Sequence, residues 1–310
     1  MAIRRLTLVV NRTKPGVDDI VRSVQEAAQK AGVTLTVADG WPISRATLQG
    51  ADACGVVGGD GTFLGVAEAA ALEGVPLFGI NRGKLGFLAA YPSEDVGASL
   101  QSILSGDFRV EKRALLEIRF ADGSFALALN DLVIKTRDVF RMGRFSVLAD
   151  GARVNEYRAD GLILASPTGT SAYNLAAGGP LVDPAASVIV LTPICAHTLS
   201  NRSVIFDGET ELEIRSEDSA LLGLSVDGWN REIRVSEPRL PIGAARQLER
   251  HAGVLQGLLR PHDALGNRRR RREKSTGEFL GGEVADFAQG QRHLRIRRQC
   301  RVAAGEDQPQ

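Results

Sequence analysis

Histidine, cysteine and tryptophan are scarce in this chain, at four, three and two of 310 residues. Cys54, Cys195 and Cys300 are odd in number and widely spaced, and make neither a disulfide framework nor a zinc site. Free thiols suit a reducing compartment, so a cytoplasmic protein is expected. No apolar run reaches the about 18 residues of a membrane helix, which excludes a membrane partner of that kind. The start, Met1-Ala2-Ile3-Arg4-Arg5-Leu6, passes into a strand-like run without the pattern of a cleavable signal. No internal repeat is visible. What remains, 44% hydrophobic and 24% charged, is an ordinary globular composition, long enough for two domains.

The net charge of +1 hides an asymmetry. Residues 1–239 hold 24 Lys+Arg against 29 Asp+Glu, whereas residues 240–310 hold 14 against 8. That reversal marks a boundary near 240.

Over the first hundred residues strand and helix alternate. Leu6–Val10 reads as a buried strand; Val17, Ile20, Val21, Val24, Ala27, Ala28 and Ala31 recur at helical spacing, and Gly32 ends that helix. Ala53–Val57, a glycine cluster, a helix through Glu73 and Pro76–Ile80 form a β-α-β unit, and a helix from about Glu94 to Leu104 follows. From Arg109 the period changes to two. Leu116/Ile118/Phe120 and Phe125/Leu127/Leu129 flank Asp122-Gly123, and Asp150-Gly151 makes a second turn. Ser187–Leu191, Leu212–Ile214, Leu222–Val226 and Ile233–Val235 read as further strands. The expected fold is an α/β amino-terminal domain with a parallel sheet (1–106), then a β-rich sandwich domain (107–239), then an atypical basic tail (240–310).

Gly58-Gly59-Asp60-Gly61-Thr62, directly after Ala53–Val57, is the strongest chemical signal. Three glycines let backbone N–H groups approach an anion, and the helix that follows adds its positive end, so the site favours phosphate. A tight turn alone would need one glycine and no acid. Asp60, repelled by phosphates, is suited to hold a metal ion or to accept a proton. The string lacks Gly-Lys-Ser/Thr, which excludes a P-loop, and lacks the third glycine of a dinucleotide fingerprint.

Asn130-Asp131 interrupts the otherwise apolar strand Leu127–Ile134, where adjacent residues point to opposite faces. Asp160–Tyr173 is a strand leading into a loop of hydroxyls (Ser166, Thr168, Thr170, Ser171) and one aromatic, Tyr173, with Gly178-Gly179-Pro180 beyond. Such groups suit ribose, phosphate and base. His197, alone within Pro193–Arg202, reads as a structural residue rather than a zinc ligand.

Together with Asn81–Phe87 and Leu88, these blocks in this order resemble bacterial NAD kinases, over roughly residues 5–236. The glycine motif alone is shared with diacylglycerol and sphingosine kinases. The resemblance implies phosphoryl transfer from ATP, or polyphosphate, to the 2′-hydroxyl of the adenosine ribose of NAD, giving NADP. It implies Mg²⁺ or another divalent cation, with the protein ligands of that metal left open, and homo-oligomers, dimers or tetramers. By motif position it implies Asp60 as the base, with Gly59, Gly61 and Thr62 along the phosphates. Asn130 and Asp131 would then meet the adenosine of NAD, Ser171, Ala172 and Tyr173 its adenine, and Asp160 the nicotinamide half.

Ser171 stands where Thr is common in that family, Asp131 where Glu is common, and Ala176 where Ser is frequent. After 239 the resemblance stops: Phe279 and Phe287 are the only aromatics, and Arg268–Arg272 form an arginine run. The expectation is a reading frame altered near codon 240; nucleic acid is not an expected partner, since stacking aromatics are scarce there. The alternatives are a lipid kinase and an NAD-binding sensor without turnover. The first gives no reason for Asn81–Phe87 or Asp160–Tyr173, and the second no need for Asp60.

Overall fold

The apolar runs without alternation form a parallel sheet covered on both faces, as near-continuous hydrophobic strands require. The structure, a computed structural model, describes residues 3–13, 16–40, 43–81, 88, 91–92, 96–120, 123–137, 140–197, 202–216, 222–231 and 259–261. Strands β1 (Arg5–Val10), β2 (Thr34–Ala38), β3 (Ala53–Val57), β4 (Leu77–Asn81) and β5 (Tyr91–Pro92) pair in the order β2-β1-β3-β4-β5, all parallel.

Four helices cover this sheet: α1 (Val17–Ala31), α2 (Arg45–Leu48), α3 (Asp60–Glu73) and α4 (Val96–Ser105). The apolar stripe of α1 and the buried residues of α4 pack with Leu6, Leu8 and Val10 of β1. On the opposite face α3 and Leu48 of α2 pack with Val9, Val56 and Leu77. Helix α3 is apolar nearly all round because it is enclosed twice: Leu115, Leu127 and Leu129 close over its outer side. Cys54 is part of this core, and burial pushes its thiol up to about 12, which makes it inert at neutral pH.

Beyond α4 the strands are β6 (Phe108–Val110), β7 (Leu116–Arg119), β8 (Phe125–Ala128), β9 (Asp131–Thr136), β10 (Gly143–Ala149), β11 (Ala152–Ala159) and β12 (Gly161–Ala165). After a single 3₁₀ turn, Thr168–Ser171, and the short helix α5 (Tyr173–Ala176) come β13 (Val188–Ile194), β14 (Val204–Asp207), β15 (Leu212–Ser216), β16 (Leu222–Val226) and β17 (Trp229–Arg231). A six-stranded antiparallel sheet, β14-β13-β12-β9-β16-β17, packs on the sheet β11-β10-β15 and the hairpin β7-β8. Leu132, Ile134, Leu162 and Leu164 meet Phe145, Val147, Tyr157 and Ile214 in the interior. The period of two therefore produces antiparallel sheets, as expected. On the other face of the larger sheet, Val133, Ile163, Ala165 and Val190 are covered by Tyr173, Ala177 and Val182.

One expectation needs correction. Leu127–Ile134 is two strands: β8 ends at Ala128 and β9 begins at Asp131. The chain breaks at Leu129 and Asn130 because a carboxylate from elsewhere takes their N–H groups, as described below.

Of the tail, β18 (Leu259–Pro261) pairs antiparallel with β6. Ile233–Val235, Arg268–Arg272 and the rest of 232–258 and 262–310 lie outside the described residues. No helix among the described residues is long and apolar enough to cross a membrane.

Candidate active site

In the strand order β2-β1-β3-β4-β5 the chain leaves β1 toward β2 and leaves β3 toward β4, so a crevice opens between the carboxyl ends of β1 and β3. The glycine motif lies there. The Asn11 side chain, just past β1, donates from Nδ2 to Thr62 Oγ1 at 3.2 Å, and its N–H donates to the Val57 carbonyl at 3.2 Å. Gly58 is forced by packing, since a Cβ there would stand 2.5 Å from Thr62 Oγ1. Gly59 and Gly61 are different: a Cβ at either would meet no protein atom within 4 Å. That open space, at the positive end of a helix, is room for a ligand.

Asp60 is the first residue of α3, two positions before Thr62, where the sequence suggests that the helix begins. A negative side chain is favoured in that first turn. Its Oδ1 accepts a hydrogen bond from the Leu88 N–H at 3.2 Å. Of the motif that runs from Asn81, residues 82–87 lie outside the described residues. Asn81 itself is buried at the end of β4.

Asn130 and Asp131 sit where β8 gives way to β9. The cause is Asp227, which follows β16. Its Oδ2 accepts from the Leu129 N–H at 2.7 Å, and its Oδ1 accepts from the N–H groups of Asn130 and Asp131 at 2.7 and 3.0 Å. In return the Asp227 N–H donates to the Asp131 carbonyl at 2.9 Å. Both carboxyls are buried, at 7% and 5% exposure for Asp227 and Asp131. Burial, offset by the three amide donors and reinforced by Glu68, pushes Asp227 up to about 6. Burial and then the neighbouring Asp227 push Asp131 up to about 7. Asp227, with three donors, keeps the charge, and Asp131 is the partner that holds the proton near neutrality.

The hydroxyl loop closes on the same place. The Ser166 N–H donates to the Asn130 carbonyl at 2.9 Å, and Ser166 Oγ donates to the Leu129 carbonyl. Gly169 is pressed on Asn130 so closely that a Cβ would fall 1.9 Å from its carbonyl oxygen. Asn174, wholly buried, ties the segment together: Nδ2 donates to the carbonyls of Thr170 at 3.1 Å and Pro180 at 2.9 Å, while Oδ1 accepts from Thr192 Oγ1 at 2.6 Å. Ser171, Ala172 and Tyr173 are each half-buried, and Lys135 Nζ lies 4.9 Å from the centre of the Tyr173 ring.

Asp160 is placed apart. Ala165 pairs with Asp131 across β12 and β9, whereas Gly161 pairs with Lys135. Asp160, exposed, is therefore at the other end of β12, roughly 16 Å along the strand from the Asp131 partner. His197 is exposed, and its N–H donates to the Arg158 carbonyl at 2.9 Å.

No three carboxylate, imidazole or thiol groups converge on a metal position among the described residues. One carboxylate at a phosphate cradle still fits Mg²⁺, which is commonly held by one or two carboxylates and the phosphates themselves.

Comparison with known proteins identifies the family. A family model described as the ATP-NAD kinase N-terminal domain matches residues 43–108, and one described as the ATP-NAD kinase C-terminal domain matches residues 129–243. The chain is 37% identical over 225 residues to the NAD kinase of Chromobacterium violaceum, covering 68% of this chain and 77% of that one. The chain belongs to the NAD kinase family. It is also 40% identical over 178 residues to the NAD kinase of Desulforamulus reducens, covering 56% of this chain. It spans 62% of the length of that relative.

The fold is that of two solved structures. The NAD kinase from Archaeoglobus fulgidus in complex with ATP superposes with a TM-score of 0.66 at 24% identity, covering 79% of this chain and 90% of that one. Yeast NADH kinase complexed with NADH gives 0.66 at 22%, covering 79% of each chain.

Reasoning from sequence alone missed Asn11, Glu68 and Asp227 in this member of the family. Asp227-Gly228 between two strand-like runs carries a hairpin signal, and both residues have positive φ, 50° and 79°. Nothing in the sequence says where the Asp227 carboxylate points.

Proposed function

We propose that this chain is an NAD kinase, transferring the γ-phosphoryl group of ATP, or a phosphoryl group of polyphosphate, to the 2′-hydroxyl of the adenosine ribose of NAD. The observation that carries the reading is the open glycine cradle at the start of α3 with one carboxylate, Asp60, set inside it. Phosphates lie against Gly59, Gly61 and Thr62, where a Cβ at either glycine would occupy the ligand's space. Asn130 and Asp131 take the adenosine of NAD, and Asp131, holding its proton near neutrality, can donate a hydrogen bond to it. Ser171, Ala172 and Tyr173 line the adenine, and Asp160 meets the nicotinamide half.

In the transfer, the 2′-oxygen attacks phosphorus and the new O–P bond forms as the bond to the leaving phosphate oxygen breaks. The hydroxyl proton passes to Asp60, and ADP (or shortened polyphosphate) departs. A positioned carboxylate contributes about 10²–10⁴-fold to such a step. The amide groups of the cradle face the charge that develops on the transferring group. A divalent ion, Mg²⁺ or another, when bound with the phosphates beside Asp60, supplies further neutralisation of charge.

We place the protein in the cytoplasm as a homo-oligomer, dimer or tetramer, with 1–106 and 107–239 as its two domains and 240–310 as an atypical basic tail, of which Leu259–Pro261 pairs with β6. The experiment is direct. The full chain, given NAD, Mg²⁺ and either ATP or polyphosphate, should form NADP with at least one donor. No NADP with either donor would sink the proposal.

A further inference from the structure

Asp227 lies 96 to 98 residues beyond the three amides that it holds. A buried carboxylate is costly unless fully hydrogen-bonded, and here it lies close to a second buried acid, Asp131, which raises that cost. A neutral side chain would end a strand with less penalty. The charge has a specific effect instead: it draws three consecutive N–H groups onto one carboxylate and bends the chain between β8 and β9. The Asn130 carbonyl is taken by the Ser166 N–H and the Asp131 carbonyl by the Asp227 N–H. Every backbone polar group of Asn130 and Asp131 is thus held by the protein, and what the pair offers a ligand is its side chains. A second carboxylate, Glu68 of α3, accepts from the Leu127 N–H at 3.0 Å, fastening the same strand to the helix that begins with Asp60.

We propose that Asp227 is a positioning residue for the acceptor nucleotide: by clamping the backbone of Leu129, Asn130 and Asp131 it aims the two side chains that meet the adenosine of NAD. This rests on the NAD kinase reading above. The Asp227 carboxylate is engaged by the backbone amides of Leu129, Asn130 and Asp131, so its removal should weaken NAD recognition while sparing the donor site and the chemical step.

The test uses the full chain and compares wild type with Asp227→Asn, which keeps the shape but turns one acceptor into an NH₂ group facing an N–H. The KM for NAD should rise about tenfold or more, since a buried donor loses its partner, while kcat at saturating NAD and the KM for ATP stay within about threefold. A merely structural role would instead lower kcat and raise both KM values together, and that result overturns the proposal. So does an unchanged KM for NAD. Should Asp227→Asn not fold by circular dichroism, Gly228→Ala decides. The φ of 79° strains any side chain there, yet a Cβ would meet nothing within 4 Å, so the variant tilts the turn without crowding it. An increase in the KM for NAD of about threefold, with that for ATP unchanged, supports the clamp, and no increase overturns it. If wild type forms NADP but the variants behave as wild type, only the clamp falls. If wild type forms none, the acceptor reading fails and takes the clamp with it.

Discussion

The two sides of the candidate cleft are built in opposite ways. Gly58–Thr62 is local: its residues hydrogen-bond to one another and to the adjacent strand ends, through Ile80 and Asn11. Asn130–Asp131 is held from a distance, by Asp227 on one side and by Ser166 and Gly169 on the other. A phosphate site needs little beyond backbone N–H groups and a helix end, which a five-residue string can encode. A nucleoside site needs side chains aimed in fixed directions, and aim comes from tertiary contacts.

The comparison breaks most sharply at Asp60. Asp60→Asn keeps shape and hydrogen bonding but removes basicity, so kcat should fall by at least about a hundredfold with NAD binding largely kept. Near-normal turnover would falsify the base assignment. On the other side of the cleft, Asn130→Ala and Asp131→Ala should each raise the KM for NAD, at roughly 1–3 kcal/mol for unpaired polar groups. If both bind NAD normally and fail toward ATP, the two nucleotides have been assigned to the wrong sides.

Two glycines sharpen the contrast. In Gly169→Ala the new methyl collides with the Asn130 backbone, so stability should drop by about 1–3 kcal/mol, read as a lower melting temperature. In Gly61→Ala the methyl meets no protein atom, and alanine is the better helix residue by up to about 1 kcal/mol. Its melting temperature should be unchanged or slightly higher while turnover falls, because the methyl occupies ligand space. Full activity in Gly61→Ala would show that phosphate does not lie there.

The sequence was legible wherever structure follows from neighbours along the chain. Leu6–Val10 and Ala53–Val57 read as buried strands because their apolar runs are continuous, and α1 because Val17, Ile20, Val21 and Val24 recur on one face. The change of period after Arg109 announced the antiparallel sheets. Asn130-Asp131 drew notice as a polar pair in an apolar run, but the strand break there did not, since its cause stands at Asp227. Asn174 and Asn11 were silent for the same reason. An asparagine at the end of a strand or inside a short helix reads as ordinary until its partners Thr192, Pro180 and Thr62 are in place.

The smallest expected effect is on stability, and it separates the two sides by pH. Asp131 and Asp227 have folded-state values of about 7 and about 6, both above the ordinary 3.8 of an aspartate. Between about pH 4 and 7 the native state therefore holds more protons than the unfolded chain, and stability must fall as pH rises across that window. The contribution is fully present below pH 4 and is lost once both groups ionise in the native state. Asp52, which accepts from the N–H groups of Arg4 and Arg5, is shifted the other way. Its contribution is present above the ordinary aspartate value and disappears only in stronger acid, so the two effects occupy different ranges. Asp131→Asn removes one of the raised groups. The melting temperature of wild type relative to this variant should decline steadily from pH 4 to pH 7 and then level off. A difference that stays constant across that range would mean that Asp131 is ionised throughout.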